Sequence, residues 1–390
     1  MNYPAVERSS AFTWQDHQVG RSVERILSCQ DENGAFVASP DFAQYRYCWL
    51  RDGSFTAYAL DRVGEHDAAA RFHAWCVRAV SGVKPLVEAA LARHRAGEAL
   101  QASKMPPARF DLAGDAVDDQ WPNFQMDGYG TWLWALGEHV RLSGAPLPTE
   151  WGPAVALASQ YISELGTSPC FDVWEENGGL VHTTTLACVY SGLRAASRLL
   201  GDEQLGQKAE ELRGLLIAHA AREGSFVKSD RDREVDGALL WLCEPLELVE
   251  PSAPLFAEAQ GRIVAELELD GGVRRYAADT YYGGGAWPVL TASLGLCYAK
   301  GGDMAGARRC LAWVAERVDA EGRLGEQYGG EQRDPEHYRL WVERWGPPAA
   351  DLVWSHAMYV LLAAEIASAS GRVAQVLRSK RDSFSHPPTT

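Results

Sequence analysis

Apolar residues recur at helical spacing along most of the chain. Eight segments place them at positions i, i+3, i+4 and i+7, the pattern of an amphipathic helix. These segments are 71–83, 84–100, 129–144, 185–201, 203–224, 288–302, 304–318 and 353–371. Several end in Gly, which commonly terminates a helix, and alternating strand patterns are rare and short. We therefore predict an all-α fold of roughly a dozen helices.

Long segments in which Trp, Tyr, Asp and Arg occur together separate these helices. They are 34–54, 103–128, 167–182, 266–288 and 321–350. Loops on a rigid scaffold often carry binding and catalytic residues, so we expect these segments to meet on one side. Helices of similar length joined in this way favour an (α/α)6 barrel, although the periodicity would also fit a helical solenoid.

The chain also lacks the features of a linker between domains. No Pro/Ser/Gly-rich stretch divides it, so we predict one domain over residues 1–380. The last residues, 381–390, are polar and rich in Pro and Ser, which predicts a disordered tail.

Charge and composition narrow the possible partners and the compartment. The net charge of −15 argues against nucleic acid and anionic membranes, which need a basic face, and is compatible with a neutral substrate. The N-terminus has no basic region followed by an apolar run, and no apolar stretch has the length of a membrane span. Eight Cys without a CxxC pair indicate buried free thiols in a reducing compartment. We expect a soluble, cytoplasmic protein.

Two pairs of acidic residues are candidates for acid–base chemistry. Glu175 and Glu176 follow Trp174 in the stretch FDVWEE, where an acid against apolar surface could act as a proton donor. A helix start, where the macrodipole favours acids, would explain the same pattern. Glu326 lies in GRLGEQ, and Glu331–Gln332 repeats the dipeptide five residues later. Cleavage of a glycosidic bond needs two such carboxylates, but a polar loop could also contain them.

A third stretch, YRYCWLRDGSF, places Arg51 beside Asp52 among aromatic residues. The Arg offers donors and the Asp acceptors, and together they could bind adjacent sugar hydroxyls. A structural ion pair is the alternative. The His residues are scattered without metal-ligand spacing, and no Gly loop with a following Lys could hold a phosphate. We therefore expect no metal and no organic cofactor.

Five stretches, taken in order, resemble glycoside hydrolase family 15, the glucoamylase and glucodextranase family. They are ASPDFAQYRYCWLRDGSF, WPNFQMDGYG, FDVWEENGG, RRYAADTYYGGGAWP, and GRLGEQ followed by GPPAADLVWSHAMYV. The resemblance covers about residues 35–365. The segment between GEQ and WSHA is longer than the family pattern, so Glu331 stays open as an alternative to Glu326.

The resemblance implies a role for each matching residue. Glu175 falls on the general acid and Glu326 on the general base. The family's water-orienting Tyr falls on Tyr45, and its hydroxyl-binding Arg–Asp pair on Arg51 and Asp52. The implied substrate contacts are Tyr45, Trp49, Arg51, Asp52, Trp121, Trp174, Glu176, Arg275 and Gln327. Asp127, Asp279 and Trp287 match further positions of these motifs.

The resemblance also implies an activity. We expect an inverting, exo-acting hydrolase that releases β-D-glucose from the non-reducing end of short α-gluco-oligosaccharides, with isomaltose or other α-1,6-linked ones as substrates. The alternatives are a trehalase-like enzyme, an α-1,4-specific glucoamylase, and a catalytically inactive sugar-binding regulatory domain. A monomer is expected.

Overall fold

Helices make up most of the structure, and short strands occur only in the segments between them. The computed structural model describes residues 17–117 and 121–369. Its α-helices are α1 (His17–Ser28), α2 (Leu50–Arg62), α3 (His66–Gly82), α4 (Lys84–Arg95), α5 (Asp127–Ser143), α6 (Gly152–Leu165), α7 (Thr183–Leu200), α8 (Glu203–Glu223), α9 (Pro254–Leu267), α10 (Pro288–Lys300), α11 (Met304–Ala315), α12 (Gly330–Arg333), α13 (Pro335–Trp345) and α14 (Val353–Ala369). Its strands are β1 (Cys48–Trp49), β2 (Arg109–Phe110), β3 (Glu268–Leu269), β4 (Gly272–Arg274) and β5 (Ala286–Trp287).

Six elements form a closed inner ring. Going round it, α2 contacts α5, α5 contacts α7, and α7 contacts a 3-10 helix at Gly237–Leu242, which contacts α10. Helix α10 contacts α14, and α14 returns to α2. Because the last inner helix contacts the first, the fold is a closed (α/α)6 barrel and not a solenoid, which confirms the predicted architecture.

The outer ring alternates with the inner ring along the chain. It consists of α1, α3, α6, α8, α9 and α11. The amphipathic pattern follows from this arrangement: α8 buries only Ala209, Leu212, Leu216 and Ala220, which lie on one face. Inner helices are enclosed by other elements, and α14 is accordingly buried along most of its length. All eight Cys are buried free thiols, as predicted.

The inner ring is filled by aromatic side chains. The rings of Phe55, Trp241 and Trp354 lie 5.1 to 5.4 Å apart, centroid to centroid. Trp174 extends the cluster, with its ring 6.2 Å from that of Trp241. These aromatic rings therefore fill the centre of the barrel.

Each chemistry-rich segment leads into an inner element, either from an outer helix or, for 103–128, from α4. Strand β1 leads into α2 and pairs antiparallel with β2, with Trp49 opposite Arg109. Strand β5 leads into α10 and pairs with β4, with Val273 opposite Trp287. All these segments therefore meet at the end of the barrel where the inner elements begin, as predicted.

Helices α1, α2, α6 and α9 lie outside the eight segments identified by periodicity, and the structure differs from the prediction in two further places. The fourth inner element is a short 3-10 helix, which the periodicity of the sequence does not show because it spans only Gly237–Leu242. The segment 321–350, predicted as a loop, contains α12 and α13, which pack on a 3-10 turn at Tyr281–Gly283.

The predicted boundaries of the domain extend past the described residues. The single domain over 1–380 stays a prediction, and the disordered tail at 381–390 lies outside the described residues. Among the residues that the structure does describe, none of the helices combines the length and the apolar character that crossing a membrane would require.

Candidate active site

A cavity of about 300 Å³ opens where the inner elements begin. This size is near the lower end for small-molecule sites, which suits a compact ligand. Its walls include ten of the eleven site residues predicted from sequence, namely Tyr45, Trp49, Arg51, Asp52, Trp121, Trp174, Glu175, Glu176, Arg275 and Glu326.

A tight turn in the segment between α6 and α7 directs the side chain of Glu175 towards the cavity. The side chain of Asp172 accepts hydrogen bonds from the backbone N–H of Trp174 at 2.9 Å and of Glu176 at 2.8 Å. Glu175 itself has a φ of +69°. A left-handed conformation costs a non-glycine residue about 1–2 kcal/mol, so the turn holds strain at the residue whose side chain faces the cavity.

Two donors fix the carboxylate of Glu175. The indole Nε1–H of Trp49 donates to Oε1 at 2.7 Å, and the amide of Gln125 donates to the same oxygen at 3.1 Å. The other oxygen, Oε2, is not part of either hydrogen bond. One end of the carboxylate is therefore held while the other can address a ligand.

Glu326 occupies a different environment on the segment between α11 and α14. Its side chain is almost fully buried, and the phenol of Tyr45 donates to Oε1 at 2.8 Å. Among the described residues, Oε2 has no hydrogen-bond partner. Burial raises the pKa of this carboxyl to about 7, against the lowering effect of the Tyr45 hydrogen bond. Glu326 is thus suited to exchanging a proton near neutral pH.

The two acids are held by two adjacent rings. Tyr45 holds Glu326, Trp49 holds Glu175, and the two rings meet edge-on with centroids 5.6 Å apart. Tyr45 is fixed in turn by Tyr281, whose hydroxyl lies 2.8 Å from its own. The acids therefore have separate supports on one rigid aromatic frame.

Glu331 and Gln327 lie outside the cavity lining. Glu331 is exposed on α12, and its carboxylate accepts from the side chain of Gln332 at 3.0 Å. The amide oxygen of Gln327 accepts from the backbone N–H of Gly285 at 2.9 Å, which ties the Glu326 segment to the Gly-rich loop before α10. The structure thus gives Gln327 a positioning contact, and a direct sugar contact by it stays a prediction.

The Arg51–Asp52 pair lies at the buried end of the cavity. Arg51 is held by Asp127, which accepts from Nη1 at 2.9 Å, and its Nε lies 3.3 Å from Oδ2 of Asp52. Both Nε and Oδ2 are buried without a hydrogen-bond partner among the described residues. Burial raises the pKa of Asp52 to about 6, although the charge of Arg51 opposes this. Both residues line the cavity, so the guanidinium and the carboxylate can offer donors and an acceptor to adjacent hydroxyls.

Arg275 is clamped from two sides. Asp279 accepts from Nε at 2.8 Å and from Nη2 at 2.5 Å, and Glu176 accepts from Nη2 at 3.3 Å. Glu176 also accepts from the hydroxyl of Tyr276 at 2.5 Å. The two neighbouring acids of FDVWEE thus have different partners: Glu175 is held by neutral donors, and Glu176 helps to fix Arg275.

Aromatic rings form the walls. Trp49 packs edge-on against Trp121, with centroids 5.8 Å apart, and the guanidinium of Arg109 lies 3.6 Å from the Trp121 ring. The indole N–H of Trp174 donates to both carboxylate oxygens of Asp236, at 3.0 and 2.9 Å. These contacts fix flat faces of the kind that stack on sugar rings.

Several wall residues were not singled out from the sequence. Tyr281 and Trp354 lie within stretches that the sequence analysis quotes, so the signal was present but not assigned to them. Trp341, Arg344 and Trp345 come from α13, inside a segment predicted as a loop. Asp236 had no sequence signal, because it precedes the 3-10 helix that the periodicity does not show.

One group of side chains elsewhere could hold a metal ion. Asp61, His73 and His139 are buried with candidate ligand atoms within 4.8 Å of one another. Asp61 already interacts with the Nδ1 atoms of His139 at 2.9 Å and His66 at 2.7 Å. None of these residues lines the cavity, so the group is separate from the candidate site.

Comparisons with known proteins identify the family of the chain. The model of the family described as glycosyl hydrolases family 15 matches residues 16–385. The isomaltose glucohydrolase of Kribbella flavida is 37% identical over 358 residues, which cover 90% of this chain and 93% of that protein. A solved glycosidase in complex with glucose is also 37% identical, with a TM-score of 0.85 over 90% of this chain and 96% of its own.

A more distant structure shares the fold. A bacterial glucoamylase complexed with acarbose has a TM-score of 0.70 at 18% identity, over 90% of this chain and 55% of its own. The family match along nearly the whole chain and the close relative covered almost end to end show that this chain belongs to glycosyl hydrolases family 15 and is a glycoside hydrolase.

Proposed function

We propose that the protein is an inverting, exo-acting α-glucosidase in which Glu175 is the general acid and Glu326 the general base. The observation that carries this assignment is the pair of carboxylates that face one cavity with different supports. Glu175 accepts hydrogen bonds from neutral donors, and Glu326 is buried with one oxygen held by Tyr45 and the other without a partner among the described residues.

The reaction follows from these positions. Glu175 gives its proton to the glycosidic oxygen as the bond from that oxygen to C1 breaks. Glu326 takes a proton from a water, whose oxygen bonds to C1 from the opposite face, with Tyr45 orienting the carboxylate. An α-linked substrate therefore yields β-glucose. These steps need only the two carboxyl groups and water, so no metal or organic cofactor enters the proposal.

Exo action is proposed from the buried end of the cavity. Arg51 and Asp52 present a fixed donor and acceptor there, and Arg275 is clamped nearby. Two adjacent hydroxyls of a terminal glucose can satisfy the pair. An axial epimer would leave a buried polar group unpaired, which a site of this kind rejects strongly. The enzyme would thus release single glucose units.

Isomaltose and other short α-1,6-linked oligosaccharides are the substrates that we propose, because the relative from Kribbella flavida is an isomaltose glucohydrolase. We also propose that the protein works as a monomer in the cytoplasm without nucleic-acid partners. The net charge of −15 supports the absence of nucleic-acid partners, and the eight free buried thiols support a reducing compartment.

A substrate panel followed by proton NMR tests the proposal. Isomaltose, maltose, trehalose and an α-galactoside are incubated separately, and the anomer formed first is recorded. We expect isomaltose to be cleaved fastest, with β-glucose appearing before mutarotation, and the α-galactoside to resist. Fastest cleavage of trehalose or maltose would replace the proposed substrate, an initial excess of α-glucose over the equilibrium anomer ratio with isomaltose would exclude inversion, and no cleavage at all would favour an inactive sugar-binding domain.

The pH dependence of the reaction follows from Glu326. A general base must be deprotonated, and burial raises the pKa of this carboxyl to about 7, so kcat/KM should fall as the pH drops through that value. Tyr45→Phe removes a hydrogen bond that lowers this pKa, so the acid limb should move to higher pH. Tyr276→Phe, which affects a hydrogen bond to Glu176 instead, is the matched control. If the fall of kcat/KM at low pH occurs at the same pH in Tyr45→Phe as in the wild type, a group other than Glu326 causes it.

A further inference from the structure

Three buried side chains with metal-binding groups converge away from the cavity. Asp61 lies near the end of α2, His73 in α3 and His139 in α5, and they are 3%, 0% and 7% exposed. Their candidate ligand atoms all lie within 4.8 Å of one another. Burying such groups costs free energy unless each nitrogen and oxygen has a partner. The contacts of each side chain therefore decide what the group does.

Hydrogen bonds join Asp61 to two histidines but do not reach His73. The Nδ1 atom of His139 lies 2.9 and 3.0 Å from the two carboxylate oxygens of Asp61, and Nδ1 of His66 lies 2.7 Å from Oδ1. Both ring nitrogens of His73 are buried with no hydrogen-bond partner among the described residues. A neutral imidazole has a lone pair on one nitrogen, so His73 brings a free ligand atom to the group.

Packing alone does not account for a histidine at position 73. Its ring lies beside that of His139, with centroids 5.0 Å apart, and meets the ring of Phe72 at 5.5 Å. A phenylalanine would fill nearly the same space without two unpaired nitrogens, which cost free energy when they are buried. A metal ion bound to one of these nitrogens would supply the missing partner.

The donor set and its spacing suit zinc. Zn²⁺ binds imidazole nitrogen and carboxylate oxygen at about 2.0–2.2 Å, and structural sites have four ligands in a tetrahedron, roughly 3.4 Å from one another. The contacts of 2.7 and 2.9 Å to Asp61 and the limit of 4.8 Å bracket this spacing, so small side-chain shifts would admit the ion. His66, whose side chain is 36% exposed, would complete the four ligands and connect the group to solvent.

We infer that Asp61, His66, His73 and His139 bind one structural zinc ion. Magnesium and calcium prefer oxygen ligands, and iron bound by two histidines and a carboxylate keeps open positions, whereas these side chains are largely enclosed. The spacing of the sequence did not indicate the site, because its ligands come from different helices. The inference is independent of the proposed function, since none of the four residues lines the cavity.

The zinc ion would join the two rings of the barrel. Asp61 belongs to α2 and His139 to α5, which are inner helices, whereas the other two ligands belong to the outer helix α3. A rise of 1.5 Å per residue places Asp61 about 14 Å from Asp52 along α2. The ion would thus stabilise the folded state at a distance from the reacting bond, as a ligand that binds only the native protein does.

Titration with zinc tests the site. The protein is produced in zinc-depleted medium without a metal-affinity step and titrated with ZnSO₄ by calorimetry. One zinc ion should bind per chain. His73→Phe removes a ligand but keeps a ring, and it should weaken binding by about 10²-fold or more, because even partners outside the ligand shell are worth up to that. His356→Gln, which changes a buried histidine paired with Asp351 outside the group, should bind zinc as the wild type does.

Melting temperatures separate a lost ligand from a damaged fold. Zinc should raise the melting temperature of the wild type by several degrees and leave that of His73→Phe unchanged. Without zinc, His73→Phe should melt no lower than the wild type, because it removes two buried nitrogens without a partner among the described residues. Asp61→Asn has nearly the shape of the wild type and should lose zinc equally, which keeps the test decisive if His73→Phe does not fold. No zinc binding by the wild type, or equal binding by the wild type and these variants, would overturn the site.

Discussion

Glu175→Gln should lower kcat for isomaltose by about 10²–10⁴-fold while leaving glucose binding nearly unchanged. The amide has the shape of the acid, and its oxygen can still accept from Trp49 and Gln125, which both donate to Oε1. It cannot give a proton to the glycosidic oxygen. The alcohol would then have to leave as an alkoxide, which raises the barrier for every unactivated glucoside.

A substrate with fluoride as its leaving group separates this role from a structural one. Fluoride leaves as a stable anion without protonation, so Glu175→Gln should hydrolyse α-D-glucosyl fluoride at close to the wild-type rate. Glu176→Gln is the neighbouring comparison, since its partners are Arg275 and Tyr276. Near-native turnover of isomaltose in Glu175→Gln, together with a severe loss in Glu176→Gln, would reverse the roles of the two acids.

Glu326→Gln should lower kcat by about 10²–10⁴-fold on both substrates. The amide can keep the hydrogen bond from Tyr45 but cannot take a proton from water. Water attacks C1 whichever group leaves, so an activated leaving group cannot compensate. The two variants therefore have opposite signatures with the fluoride, and steady-state rates on the two substrates distinguish acid from base.

Glu331→Gln provides the matched control for the base. It makes the same chemical change in the second Glu-Gln dipeptide, on an exposed residue of α12 outside the cavity wall. Its rates should equal those of the wild type on both substrates, and melting temperatures should confirm that both variants are folded. A large loss in Glu331→Gln with an active Glu326→Gln would move the base to Glu331.

The sequence predicted the parts of the fold that depend on periodicity. The all-α class follows from apolar spacing, because a helix that is buried on one side must carry apolar residues on that side. The meeting of the loops was predicted from the Trp, Tyr, Asp and Arg that they share. The 3-10 helix at Gly237–Leu242 is too short to produce a period. Ring closure is not visible in local pattern either, because it depends on contact between α2 and α14, elements about 300 residues apart.

The sequence predicted those parts of the site in which two charged residues are adjacent along the chain. Arg51–Asp52 and Glu175–Glu176 were found because charged pairs among aromatic residues are unusual. Two identical Glu-Gln dipeptides do not reveal which glutamate lies in the cavity. The structure distinguishes them, because Glu326 is buried and Glu331 is exposed. Trp345 was not predicted as a site residue, because its neighbours along the chain do not indicate that its ring lines the cavity.

The closed ring has a consequence for how the protein is made. Helix α1 is bound to α14 and to the residues just before it, since Arg25 pairs with Asp351 and Ser22 contacts His356 at 3.0 Å. On the ribosome, α1 and α2 emerge long before α14 exists to cover them. Contacts so distant along the chain form late, and the apolar surface that awaits them is exposed during synthesis. Nascent chains that end before α14 should therefore depend on chaperones, and release of the C-terminal region should complete the barrel.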